Sequence, residues 1–125
     1  MEPKNAKAII MYYYNIPEMI ASLEQERHDT EDCNRLLEIT TKIRVLIADA
    51  EQVKEYLDMI DHKYKLLFMM RYLDKYSWVR ISVELGVPNS TVRSWHTKVV
   101  KYLAELLDQM PMAEEVLHRA LYARN

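Results

Sequence analysis

One glycine, Gly86, serves the whole 125-residue chain. Phosphate-cradling loops need several glycines, both to turn tightly and to let backbone N–H groups approach the ligand. Nucleotide-hydrolysing and dinucleotide-binding classes are thereby excluded. Cysteine is just as scarce. Cys33 alone cannot close a disulfide within the chain, and no histidine or second cysteine stands near it at a zinc-finger spacing. A reducing, cytoplasmic setting is expected, with no metal and no other cofactor. Long apolar runs are missing too: the longest, residues 66–70, falls far short of the roughly 20 residues of a membrane span. Charges occupy the first residues, where a secretory signal would need its apolar core. The expectation is a soluble, untargeted protein with no membrane partner.

What the chain does have is 50% apolar residues, with abundant Leu, Met, Glu, Lys and Ala and four prolines. This composition favours an all-α fold with short connections, on the order of five to seven helices. The formal net charge of -2 hides a segregation. Residues 1–60 carry -5, residues 61–103 carry +5 and residues 104–125 carry -2. A phosphate backbone responds to the local sign of charge within a Debye length, so a basic module between acidic flanks suits a nucleic-acid partner better than the total suggests.

Along the chain, residues 4–14 and 17–28 read as two helical pieces, with Ile9, Tyr12, Ile16, Met19 and Leu23 spaced alternately three and four apart. Pro17 either breaks or kinks this stretch. Asp29 or Thr30 offers a cap for the next helix, whose first turn would carry Glu31 and Asp32. From Leu36 the apolar positions Ile39, Ile43, Leu46, Ala50, Val53, Leu57, Ile60 and Tyr64 continue the same alternation, which predicts one helix of roughly 30 residues with a coiled-coil seam. Such a helix pairs with the N-terminal helices, with a second copy of itself to give a homodimer, or with both; the pattern leaves these open. Residues 62–73 read as a further helix that buries Leu66, Leu67, Met70 and Leu73. Three more are expected at 77–85, 89–108 and 112–123, the last docking back or joining a dimer interface.

The strongest local signal is the stretch 77–101. Ser77 can cap a helix, Ile81 and Leu85 lie four apart on its inner face, and Ser82 is small enough for close helix approach. Gly86 follows where a positive φ is usual, Val87 fills the space between helices, and Pro88 forbids continuation. The next helix has an inward stripe of Val92, Trp95, Val99, Leu103 and Leu106. Its outward stripe of Asn89, Ser90, Arg93, Ser94, Thr97, Lys98 and Lys101 is rich in donors for base edges and phosphates. This is the pattern of a helix-turn-helix.

Residues Leu67-Phe68-Met69-Met70-Arg71-Tyr72, then Ser77, Ile81, Leu85-Gly86-Val87-Pro88 and Thr91-Val92-Arg93-Ser94, resemble the C-terminal promoter-binding domain of bacterial sigma factors. The layout of the whole chain is similar to that of small phage regulators of the RinA and ArpU types. Lys75 stands where such modules usually have a glycine, and Arg80 where they have an acidic residue. The resemblance implies a helical arm at 1–60 for oligomerisation or polymerase contact, a DNA-binding module at 61–108 and a C-terminal helix at 109–125. It also implies double-stranded DNA as partner, bacterial RNA polymerase as a second partner, and a place in the cytoplasm of a phage-infected bacterial host. Independent sigma activity is not expected, because acidic helix replaces the other promoter-opening domain.

On this reading Asn89, Ser90, Arg93 and Ser94 approach base edges, with Thr91 among the DNA-binding residues beside them and Arg93 best suited to a guanine through its two-pronged guanidinium. Lys98 and Lys101 reach phosphates, with Ser77 and Thr97 nearby. Arg80 either meets a phosphate or stands solvated. Tyr12, Tyr13 and Tyr14 are expected to pack rather than to stack on bases, and His28, His62, His96 and His118 to lie at the surface. No nucleophile has a neighbouring base, so an enzyme is not expected. Two other functions fit the same residues: a small terminase-type DNA-packaging protein, and a module that binds RNA polymerase without reading DNA.

Overall fold

A computed structural model describes residues 1–123. It contains six α-helices, and no strand among the described residues: α1 (Pro3–Asp29), α2 (Cys33–Leu57), α3 (His62–Phe68), α4 (Trp78–Leu85), α5 (Asn89–Leu107) and α6 (Ala113–Ala123). Arg124 and Asn125, part of the expected C-terminal helix, lie outside the described residues.

α1 is one helix, with Pro17 inside it. An internal proline costs on the order of 3 kcal/mol, and burial on both sides offsets it. Ile9, Tyr12 and Ile16 are buried before the proline, Met19, Ile20 and Leu23 are partly buried after it, and Pro17 itself faces solvent. The unbroken apolar phase therefore prevails over the local breaker. Because α1 runs on through Asp29, neither Asp29 nor Thr30 caps the second helix. Asp32 does so, its carboxylate accepting from the N–H groups of Asn34 (2.9 Å) and Arg35 (3.3 Å). Across the hairpin Arg35 donates to both carboxylate oxygens of Glu26, each at 2.7 Å.

The single helix expected from Leu36 to Tyr64 is divided. α2 stops at Leu57, Ile60 is buried in a turn, and Tyr64 belongs to α3. Asp58 fastens this turn by accepting from Lys54 on one side (2.9 Å) and Lys65 on the other (3.1 Å). Those bonds hold the Asp58 carboxyl below its ordinary range. The seam kept its phase because the turn buries the next apolar residue against the same core. α2 pairs in cis with α1, which accounts for the acidic N-terminal segment folding as a hairpin.

α3 ends in a π-helical turn, Met69–Leu73. The wider turn re-phases the helix face. Phe68 and Tyr72 are buried with Leu67, whereas Leu66 and Met70 are only half-buried and Leu73 faces out. The expected face of Leu66, Leu67, Met70 and Leu73 is thus corrected by one inserted residue per turn.

Two apolar clusters result. The larger joins Ile9, Tyr12 and Ile16 of α1 to Leu46 and Val53 of α2, to Val99, Leu103 and Leu107 of α5, and to Val116 and Ala120 of α6. The smaller gathers Leu67, Ile81 and Val92, with Met70, Trp78, Leu85, Val87 and Trp95 packed around them. α6 docks back on α1, and a buried polar joint locks it there. Asp49, 2% exposed, takes two bonds from the Arg119 guanidinium, both at 2.7 Å, and a third from the Tyr12 hydroxyl at 2.6 Å. Burial, reinforced by the Asp49 carboxylate, raises the Tyr12 hydroxyl pKa above its ordinary value. Tyr13 and Tyr14 meet edge to face at 4.9 Å against the same core, as packing residues would.

Candidate nucleic-acid interface

The site is built on the α4–α5 pair. Ser77 caps α4, its Oγ accepting from the Arg80 N–H at 3.2 Å. Gly86 closes α4 in the left-handed region at φ +67°, with its N–H directed back to the carbonyls of Ser82 and Val83. A Cβ at Gly86 would meet no atom within 4 Å. The glycine is therefore required by its backbone angle and not by lack of space. Val87 then donates to the Ser82 carbonyl at 3.2 Å, and Pro88 starts α5. Lys75, in the loop before α4, is also left-handed, at φ +59°.

α5 divides cleanly into faces. Val92, His96, Val99, Val100, Leu103, Ala104 and Leu107 are buried. Ser90, Arg93, Ser94, Thr97, Lys98 and Lys101 are exposed, and Asn89 and Thr91 are half-buried. The Asn89 side-chain oxygen accepts from Arg93 Nε at 3.0 Å, and the Arg93 guanidinium lies 5.9 Å from the Trp78 ring centre. Arg93 is thereby held at the helix surface with its two terminal amino groups free to donate elsewhere. Thr97 Oγ1 donates to the Arg93 carbonyl at 3.1 Å, which occupies its proton and leaves the oxygen as an acceptor. Ser77 and Arg80 are exposed on α4, beside this face in sequence order.

Several cations rest on aromatic rings around the pair. The Arg80 guanidinium stacks 3.7 Å from the Tyr76 ring centre while the residue stays exposed. Arg71 lies 4.4 Å from the Trp78 centre and donates to the Tyr76 carbonyl at 3.0 Å. The Lys63 ammonium sits 4.6 Å over Trp95 and 5.0 Å over Tyr64. Sequence reasoning passed over Lys63 and Arg71 because both precede the helix-turn-helix. The cluster of positive charge across residues 61–103 was the only available signal for them.

His96 corrects the expectation of four surface histidines. It is 9% exposed, its Nε2 shares a hydrogen bond with the Tyr72 hydroxyl, and its ring packs against Phe68 and Trp78. Burial, with smaller contributions from the charges of Lys7 and Arg71, pushes its pKa down to about 4. Burial likewise pushes the Tyr72 hydroxyl up to about 12. His96 is thus neutral at ordinary pH, one helical turn beyond Val92 on the inner side of α5. No cluster of three or more metal-ligating side chains occurs among the described residues, and none of their helices is long and apolar enough to cross a membrane.

The family model described as a protein of unknown function, DUF722, matches residues 4–105, from the start of α1 to the last turn of α5. The chain belongs to this family. No curated protein and no solved structure matches it. The segment matched by the DUF722 model spans the hairpin, α3 with its π turn and the α4–α5 pair of this chain, while α6 lies beyond it.

Proposed function

We propose that this DUF722 protein is a sequence-specific DNA-binding transcriptional regulator that lays α5 along the major groove of duplex DNA. The observation that carries the reading is the outer face of α5. It presents Ser90, Arg93, Ser94, Thr97, Lys98 and Lys101 to solvent on a helix whose opposite face is fully committed to the core. Arg93 is the residue for base readout, because Asn89 and Trp78 restrict its guanidinium before any ligand arrives, and a restrained fork loses less entropy on bonding the two acceptors of a guanine. Asn89, Thr91 and Ser94 adjoin it. Lys98 and Lys101 serve phosphates further along the helix, Arg80 and Ser77 do so from α4, and the charge of +5 over residues 61–103 draws the duplex in. A phage-type activator acting in the bacterial cytoplasm is the regulator class this reading favours.

One observation supports a second reading. Val79 and Val83 on α4 are 64% and 73% exposed, an apolar pair one turn apart on the surface, and such a pair suits a protein contact with RNA polymerase. Selection of bound duplexes from a randomised pool, followed by fluorescence anisotropy across a salt series, tests the two. A DNA reader enriches a defined site and loses affinity steeply as salt rises. Failure to retain any duplex at low ionic strength would leave only the polymerase-binding module.

A further inference from the structure

Of the lysines and arginines between residues 61 and 103, only Lys65, held by Asp58, makes an ion pair among the described residues. Several of the others rest on aromatic rings instead. Lys63 lies over Tyr64 and Trp95, Arg71 and Arg93 over Trp78, and Arg80 over Tyr76, and every such contact among the described residues falls in this module. The difference matters for charge. A carboxylate fixes a cation by cancelling its charge, whereas the face of a ring fixes it and leaves the charge in place for another anion.

These ring-borne cations fall at two opposite edges of α5. Arg93 and Trp95 are two residues apart, roughly 200° around a helix that advances about 100° per residue. Ser90, Ser94, Thr97, Lys98 and Lys101 occupy the exposed arc between them. At the Trp95 edge the ammonium of Lys63, an exposed residue brought in by α3, stands 4.6 Å from the ring centre. From the Arg93 edge a chain of contacts leads to α4. Trp78 carries Arg71 at 4.4 Å, Arg71 donates to the Tyr76 carbonyl at 3.0 Å, and the Tyr76 ring carries Arg80 at 3.7 Å. A cation from outside α5 thus stands on each side of the arc.

The major groove of B-form DNA is about 12 Å wide, and an α-helix with its side chains measures about 10 to 12 Å across. A helix seated there has one phosphate backbone along each edge. We infer that Lys63 binds a backbone phosphate on the strand opposite the one met by Arg80, so that the module holds both walls of the groove. The inference rests on the reading that α5 enters the groove. It adds to that reading a contact from outside the helix-turn-helix, and it gives Trp95 and Tyr64 a positioning role: their rings hold the Lys63 ammonium before the duplex arrives, so less freedom is lost on binding.

Anisotropy titrations of the full chain on its selected duplex and on a random one, across a salt series, test the inference. Lys63→Gln should lower the salt slope by about 0.9, the share of one phosphate contact, on both duplexes and leave the sequence preference as it was. The gap between wild type and variant then narrows about three- to fourfold for each fourfold rise in salt. Lys63→Arg should keep the wild-type slope. Lys42→Gln removes a charge far along the hairpin, beside Met19 and Leu23, and should change nothing. Phosphate-ethylation interference locates the contact: Lys63→Gln should relieve interference on one strand and Arg80→Gln on the other. Both residues are exposed, so circular dichroism should show every variant folded. An unchanged slope for Lys63→Gln in a protein that still selects a site would overturn the inference and leave the DNA reading standing. Relief on the same strand by both variants, or a Lys42→Gln loss equal to that of Lys63→Gln, would overturn it in the same way. A wild-type chain that retains no duplex would overturn the DNA reading itself, and this inference with it.

Discussion

Acid should loosen the joint where α3 meets α5, and His96 sets how much. A histidine in the unfolded chain titrates near 6.5, whereas in the fold its pKa is pushed down to about 4. Above about pH 6.5 the ring is neutral in both states, so the fold keeps its full stability. Between 6.5 and 4 the unfolded chain takes up a proton that the folded chain refuses, so stability falls with pH across that window. Below 4 both states are charged and the loss levels off. A gap of roughly two and a half units at about 1.4 kcal/mol each limits the loss to about 3 kcal/mol. The substitution His96→Gln isolates the effect, since glutamine can accept the Tyr72 hydroxyl bond and does not titrate. Urea unfolding followed by far-ultraviolet circular dichroism between pH 7 and pH 4 gives the stability of both proteins. Carboxylates titrate in both and cancel in the difference. The wild-type chain should lose up to about 3 kcal/mol more than the variant over this window. Parallel loss in the two proteins would show that His96 is not held neutral by burial, and that the packing with Phe68 and Trp78 does not exclude the charge.

Three further outcomes are expected. Arg119→Met strands the buried Asp49 carboxylate with only the Tyr12 hydroxyl, and should cost about 3 kcal/mol in chemical unfolding, the low end for a broken buried pair because Arg119 retains contact with water. Gly86→Ala should cost about 1 kcal/mol and Gly86→Asn clearly less, since the position lacks only tolerance of φ +67°; equal costs in thermal melts would contradict that cause. Arg93→Ala should weaken binding to the selected duplex by about 1 to 3 kcal/mol and blur its sequence preference, whereas Lys98→Ala should weaken all duplexes alike and lower the salt slope by about 1. Identical profiles for the two variants in anisotropy titrations would refute their separate roles.

The parts of the molecule legible in sequence were those governed by short-range rules. Gly86 and Pro88 could be read as a turn because one residue type tolerates the angle and the other forbids a continuous helix, and Val92, Val99 and Leu103 of the inner face of α5 followed from a period of 3.6, although Trp95 and Leu106, expected there, are only half-buried and His96, Val100, Ala104 and Leu107 complete it instead. What escaped depended on partners far along the chain or on phase alone. Asp49 and Arg119 are 70 residues apart, and neither is unusual among its neighbours in sequence. The turn at Asp58 was hidden because apolar spacing reports phase and is blind to a turn that preserves it. The π turn inserts a residue without any glycine or proline to announce it, and so Tyr72 rather than Leu73 came to face His96. His96 itself looked like a surface histidine because its neighbours in α5, Trp95 and Thr97, straddle the boundary between the two faces.

α5 contributes Val92 to the small cluster and Val99, Leu103 and Leu107 to the large one, so its inner side is shared property of the whole molecule. A fragment cut out from residue 61 onward would bare those aliphatic side chains to water and tend to self-associate. The outer residues of the same helix carry no such obligation. They can be exchanged in the laboratory, or drift over generations, without disturbing the interior, which leaves this surface free to acquire new preferences on an unchanged scaffold.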